Sequence, residues 1–229
     1  MVVVKKINIA VDGPSAAGKS TIAKALAQKL GYVHLDSGSM YRCVGLKASE
    51  RQVDYSDIDT MNKLLDDTKI ELLADGRILM DDIDVSQTIR SNEVSMYASN
   101  VSTLQFVRED LVRRQQEMAK AKGFVMDGRD IGTVVLKDAE LKIYQTASVE
   151  ARATRRALEN KQKGLECDYD KIEQEIMKRD FQDMNREHSP LCKASDAIEI
   201  DTSDMSIDEV VEKVLTYAQN IIESKDDIK

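Results

Sequence analysis

Residues 7–12 (Ile-Asn-Ile-Ala-Val-Asp) run directly into Gly13-Pro14-Ser15-Ala16-Ala17-Gly18-Lys19-Ser20-Thr21, and this junction restricts the fold more than any other stretch. The β-branched run reads as a buried strand, and the residues from Gly13 to Ser20 fit the phosphate-loop pattern G-x-x-x-x-G-K-[ST]. Polyphosphate needs several backbone N–H groups converging on it, so glycines are required where a Cβ would block close approach. Lys19 supplies a point charge for the outer phosphates, and the Ser20 hydroxyl suits Mg²⁺. Ile22, Ala23, Leu26, Ala27 and Leu30 then recur at helical spacing, with Gly31 as a stop. A helix starting at the loop turns its positive dipole end toward an anion. The expectation is a nucleoside-triphosphate site at the end of the first strand of an α/β sheet.

The rest of the chain is compatible with that start. At 229 residues it suits one α/β domain with insertions and is short for two independent ones. A formal charge of −8 argues against nucleic-acid polymers or anionic membranes as partners. Cys43, Cys167 and Cys192 are scattered, odd in number and without metal-ligand spacing, which reads as reduced thiols in a cytoplasmic protein. No apolar run reaches membrane-span length, and the first residues lack the apolar core of a signal peptide. A monomer is the default expectation.

Taken in order, residues 32–35 read as a second strand ending at Asp36-Ser37-Gly38, and residues 39–50 as a helix carrying Arg42. Polar residues at such strand ends are functional candidates, because open α/β sheets bind ligands there. Over residues 52–86 the alternation of strand and helix breaks: a short helix from Asp57 precedes strands at 69–73 and 77–80, joined by a turn at Asp75-Gly76. This predicts an inserted lobe. Helices are expected at 91–101 and 103–122, then a buried strand at 123–127. That strand ends in Asp127-Gly128-Arg129-Asp130. Two acids and an arginine in four residues at a strand end read as site rather than surface, and Asp127 is placed to support Mg²⁺ through water. A strand at 141–145, charged helices from 150 and over 170–186, a strand at 197–200 and a helix at 206–223 complete the reading, with a frayed tail from 226. The charged helices carry Arg152, Arg155 and Arg156, and look like a flap over phosphates. His34 and His188 are given no role.

Four motifs in order, Gly13–Thr21, Asp36-Ser-Gly-Ser-Met-Tyr-Arg42, Asp127-Gly-Arg-Asp-Ile-Gly-Thr133 and Lys178-Arg-Asp with Asn185-Arg186, resemble those of bacterial cytidylate kinases, over residues 5–222. The resemblance implies a single domain over 1–229 with the P-loop nucleoside-monophosphate kinase fold. That fold is a five-stranded parallel sheet flanked by helices, with an NMP-binding insertion at 52–100 and a lid at 152–170. It implies γ-phosphoryl transfer from ATP to CMP or dCMP with Mg²⁺. Carried over by motif, Ser37, Arg42 and Arg129 hold the acceptor phosphate, Ser99, Arg108 and Asp130 the cytosine edge, and Arg179 and Asp183 the sugar. Gly13 to Thr21 with Arg152, Arg155 and Arg156 hold ATP, while Lys19, Arg129, Arg155 and Asp127 serve the transfer. Ser20, Asp36 and Asp127 are the metal candidates, the acids through water. Rival readings are a sister kinase for AMP, UMP or shikimate, or a nucleotide-switch ATPase with no acceptor. The absence of a guanine-specifying motif and the surplus of arginines near strand ends disfavour the switch.

Overall fold

The computed structural model describes residues 6–73, 76–162, 164 and 167–226. Strand β1 (Ile9–Asp12) leads to helix α1 (Lys19–Leu30), β2 (Val33–Asp36), α2 (Ser37–Glu50) and α3 (Ile58–Asp66). Short strands β3 (Ile70–Leu72), β4 (Ile78–Met80) and β5 (Ile83–Asp84) follow, then a 3₁₀ turn at Thr88–Arg90 and helices α4 (Asn92–Val101) and α5 (Gln105–Ala119). Next come β6 (Phe124–Gly128), a π-helical turn at Ile131–Val135 and β7 (Leu141–Thr146). The chain closes with α6 (Val149–Gln162), α7 (Tyr169–Asn185), β8 (Ile198–Asp201) and α8 (Ile207–Asp226).

The order β2-β6-β1-β7-β8 makes the five-stranded sheet that the strand–helix alternation predicts, and β3-β4-β5 form a second sheet. β1 pairs in parallel with β6 and β7, and β7 with β8, whereas the β3–β4 and β4–β5 pairs are antiparallel. Parallel strands need crossover connections, which the helices supply; the three short strands need only turns. The expected turn residue Asp75 lies outside the described residues, as do Lys163, residues 165–166 and the tail 227–229.

The chain divides into two compact units: residues through Tyr32 with those from Lys122 onward, and Val33–Ala121. In the first, Ile9 and Val11 of β1 pack with Val125, Ile143, Ile200, Ile22, Leu26, Val210 and Val214, so α1 and α8 cover one sheet face. Because strand side chains alternate, Asp12 falls on the opposite face. In the second unit, α2 packs against α4 and α3 against α5. A Cβ added to Gly45 would lie 2.8 Å from the Tyr97 backbone, so these two helices meet at glycine contact. Among the described residues no helix is long and apolar enough to cross a membrane.

Several boundaries differ from the sequence reading for local reasons. β1 begins at Ile9, two residues later than the run at 7–12 indicated. The helix expected over 103–122 spans Gln105–Ala119 instead. Leu104 is its extended N-cap, Lys120 its C-cap, and beyond the helix Lys122 and Gly123 take φ of 58° and 84° in the turn that precedes β6 at Phe124. α2 begins earlier than expected, at Ser37, because the Asp36 carboxylate caps it from the end of β2. β5 and the π-helical turn carry no periodic signal, and the sequence reading missed both.

Candidate active site

In the first unit the phosphate loop is shaped from several sides. Gly13 sits where a Cβ would fall 2.0 Å from the Gln145 carbonyl oxygen, so only glycine can follow β1 here. The Gln145 side-chain amide of β7 donates to the Ala17 carbonyl. Gly18, at φ 88°, opens α1 without any side-chain cap, leaving the first turn as an anion-binding start. Gly31 closes the helix at φ 65°, and the Tyr32 N–H reaches back to the Ala27 carbonyl.

Lys19 is buried, and its Nζ donates to the Pro14 carbonyl at 2.7 Å. Burial, with Arg129 adding to it, pulls the lysine down to about 7 against opposition from Asp127, Asp183 and Asp12. An ammonium without an anionic ligand is therefore costly there, and a bound polyphosphate would restore its charge. The Ser20 hydroxyl donates to Asp127 Oδ2 at 2.6 Å, so the two metal candidates of this unit are adjacent. Hydroxyl and carboxylate oxygens are the hard ligands Mg²⁺ takes alongside substrate phosphates.

Asp127 opens a loop that carries Arg129 and Asp130. Arg129 Nε donates to Asp183 Oδ2 at 2.7 Å. Burial works against both charges, but the pairing dominates: the guanidinium is held above its ordinary range, and Asp183 below its own with help from Arg179 and Arg186. Asp130 is buried, with Arg186 Nη2 at 3.6 Å. The loop is anchored by Asp12, whose two carboxylate oxygens accept from the N–H groups of Ile131 (2.8 Å) and Gly132 (2.7 Å). Burial pushes Asp12 up to about 6 in spite of those two donors; Asp130 adds to the rise and Lys19 opposes it.

The three arginines of α6 do different things. Arg152 is buried, and bonds to the Ala147 and Ser15 carbonyls and to Asp180. Arg155 donates to the Thr202 carbonyl and, at 3.3 Å, to its hydroxyl; Arg156 lies 3.5 Å from Glu159. Arg155 and Arg156 line a cavity of about 300 Å³ with Ala16, Gly18, Thr21, Gln145, Thr202 and Ser206, closed by Ile22, Met205 and Val210. A pocket of mixed lining running off a phosphate loop suits the nucleoside end of a donor.

In the second unit the candidates gather around the start of α2. Asp36 accepts from the Ser39 N–H and hydroxyl at 3.2 and 2.6 Å, and from Arg90 Nη1 at 3.3 Å, with Arg42 Nη1 at 3.7 Å. Burial alone would raise this carboxyl, but Arg42, the Ser39 hydroxyl and Arg90 keep it below its ordinary value. The expectation that Asp36 orders a metal's waters thus meets a carboxylate already committed to two guanidinium groups and a helix cap. Ser37 is the first, buried residue of α2. Arg108 is buried, its guanidinium carbon 5.5 Å from the centre of the Tyr41 ring, and its Nη1 donates to the Ser102 carbonyl at 3.2 Å. The Ser102 hydroxyl in turn donates to the Ser99 carbonyl at 2.8 Å.

Sequence reasoning missed Asp12, Arg90 and Gln145, and gave Asp180 and Arg186 no role although both stand in a quoted motif. Asp12 stands at the end of a strand and Asp180 three residues before Asp183 on α7, so position held a hint for both. For Arg90 and Gln145 nothing local did.

A family model described as cytidylate kinase matches residues 9–220. The cytidylate kinase of Caldicellulosiruptor bescii is 53% identical over 224 residues, 96% of this chain and 99% of its own. That of Bacillus pumilus is 50% identical over 220 residues, 95% of this chain and 98% of its own. Among solved structures, an uncharacterized protein from Eubacterium ventriosum aligns over 94% of this chain and 99% of its own. Its TM-score of 0.52 at 14% identity makes this a likeness of fold alone.

Proposed function

The chain belongs to the cytidylate kinase family, and from that premise we infer that it transfers the γ-phosphoryl group of ATP to CMP or dCMP, giving ADP and CDP or dCDP. The observation that carries this reading is the Asp127–Asp130 loop. It bonds to the phosphate loop through Ser20 and, within three residues, presents the arginine and the carboxylate that an acceptor nucleotide needs.

ATP lies with its phosphates on the backbone N–H groups from Ala16 to Thr21 and its nucleoside toward the cavity lined by Arg155 and Arg156. Ser37, Arg42 and Arg129 take the acceptor phosphate, and Arg90, already joined to Asp36, adds a further guanidinium. Ser99, Arg108 and Asp130 read the base, while Arg179 and Asp183 read the sugar. Residues 52–100 serve as the acceptor-binding insertion and residues 152–170 as the lid. The three cysteines, all free thiols, suit work in the cytoplasm.

The acceptor oxygen is already anionic, so the protein needs no general base; its task is alignment and charge neutralisation. Lys19 and Arg129 stabilise charge on the transferring group; Arg155, which the resemblance assigns to the transfer, bonds to Thr202 and lines the nucleoside cavity instead. Ser20 and Asp127 would hold Mg²⁺, which when bound supplies neutralisation of the phosphate oxygens. Lid closure excludes water and so suppresses ATP hydrolysis. Asp130 accepts from the exocyclic amine of cytosine, where uracil presents a carbonyl. Acceptor against acceptor forfeits the hydrogen bond to the base and sets two lone pairs against each other, a penalty of about 1–3 kcal/mol, or roughly 5- to 150-fold against UMP.

An ADP-release assay with CMP, dCMP, UMP, AMP and shikimate tests the assignment. Release that depends on CMP or dCMP is the expected result. A response to AMP or shikimate alone would transfer the chain to a sister activity, and release without any acceptor would make it an ATPase. Arg129→Ala should lower turnover about 100-fold or more. Near-normal turnover in the folded variant would remove that residue from the transfer step.

A further inference from the structure

The phosphate loop is gripped at its crest by the two charged helices. The Ser15 N–H donates to Asp180 Oδ1 of α7 at 3.0 Å, and the Ser15 carbonyl accepts from Arg152 Nη1 of α6 at 2.9 Å. Arg152 and Asp180 close the ring by pairing with each other at 2.5 Å, and Arg152 Nε is fixed on the Ala147 carbonyl at 2.9 Å. Both residues are buried, at 4% and 8% exposure, so solvent screens the pair little. The next residue, Ala16, holds φ at +57°, a left-handed backbone that an alanine takes only when its surroundings impose it. Its methyl packs against the Ala153, Ile172 and Ile176 cluster of the same two helices. One hairpin thus clamps residue 15 by charge and residue 16 by apolar contact.

We propose that Arg152 and Asp180 are positioning residues for the donor site, an ion pair that holds the Ser15–Ala16 crest so that the loop's N–H groups converge on a polyphosphate. This differs from the sequence expectation for Arg152, which placed it on the ATP phosphates. The proposal rests on the reading that the loop binds ATP. It makes a distinct claim, because a phosphate ligand acts by itself whereas a clamp acts through its partner.

A double-mutant cycle separates the two roles. Arg152→Met, Asp180→Asn and the double variant should each weaken ATP and ADP together, by about tenfold. Displacing a positioning group by a fraction of an ångström costs on that scale. The double should be no worse than the poorer single, and KM for CMP should stay within about twofold of the wild type. If Arg152 is a phosphate ligand, Asp180→Asn binds ATP normally, Arg152→Met loses ATP more than ADP, and the effects add; that pattern overturns the proposal. Each single leaves a buried charge without its partner and can fail to fold. The double, which buries neither charge, and Ala16→Gly, which keeps the backbone angle while removing the methyl, then decide. Ala16→Gly should melt near the wild type and bind ATP several-fold more weakly; unchanged ATP binding in both overturns the clamp. ATP binding followed by calorimetry needs no acceptor, so the proposal is decided even if CMP-dependent turnover is absent and the functional reading fails.

Discussion

Two helices begin at candidate anion sites, and they begin in opposite ways. α1 starts at Gly18 with no side-chain cap, so the N–H groups of its first turn suit a ligand. α2 starts at Asp36, whose carboxylate caps the helix and is balanced by Arg42 and Arg90. The candidate donor site is thus made of backbone, bonded to by Gln145, Arg152 and Asp180. The candidate acceptor site is made of guanidinium groups around a carboxylate that the protein supplies itself. Backbone donors cannot rotate away but tolerate almost no substitution, as Gly13 shows. Guanidinium groups discriminate better, yet they need a carboxylate to orient them.

The sharpest way to break this contrast is at Lys19, the one charged side chain within the backbone-built loop. Lys19→Ala should reduce turnover by about 1,000-fold with little change in melting temperature, since a buried ammonium is removed. A loss below tenfold would mean that the backbone alone carries the phosphates. Next in size, Arg42→Ala should raise KM for CMP by roughly 10- to 100-fold, the scale of a lost hydrogen bond between charged groups, and leave KM for ATP unchanged. A parallel rise for ATP would dissolve the distinction. Smaller again, Asp36→Asn keeps a good helix cap but frees the guanidinium groups, and should raise KM for CMP about threefold. A fall instead would show that Asp36 competes with the substrate phosphate rather than orienting its ligands.

The smallest effect is a proton count. With Lys19 at about 7 in the ligand-free protein and 10.5 ordinarily, the unfolded chain holds the extra proton between those values. From this group, stability of the free protein should therefore rise with pH across that window. ATP reverses the shift, so binding at pH 8 should take up close to one proton and at pH 6 almost none. CMP binding should take up none through this group. Calorimetry in buffers of different ionisation enthalpy reads the difference, and no uptake at pH 8 would show that Lys19 is already charged.

Most of the fold was legible because burial leaves a period: Ile9 and Val11 alternate, and Ile22, Leu26 and Leu30 recur as helix neighbours. The elements that escaped are short or irregular. β5 is two residues long, and the π-helical turn is fixed by Asp12, more than a hundred positions away. The site followed the same rule. Lys19, Ser20 and Asp127 could be named because a motif or a strand end marks them, and the structure joins Ser20 to Asp127 directly. Asp180, Arg152 and Gln145 act on backbone atoms of Ser15 and Ala17, and a contact with backbone leaves no complementary residue type to read. Arg152 was recognised as cationic, but the sequence offers no sign that its nearest anion is Asp180.

Gly45 has a consequence of its own. The spacing between α2, which carries Arg42, and α4, which carries Ser99, is set by a methyl that is missing. A single carbon added there would wedge apart the helix proposed to grip an acceptor's charge and the helix proposed to inspect its ring. Catalytic reach and choosiness would then drift in concert, from a residue that touches neither end of the substrate.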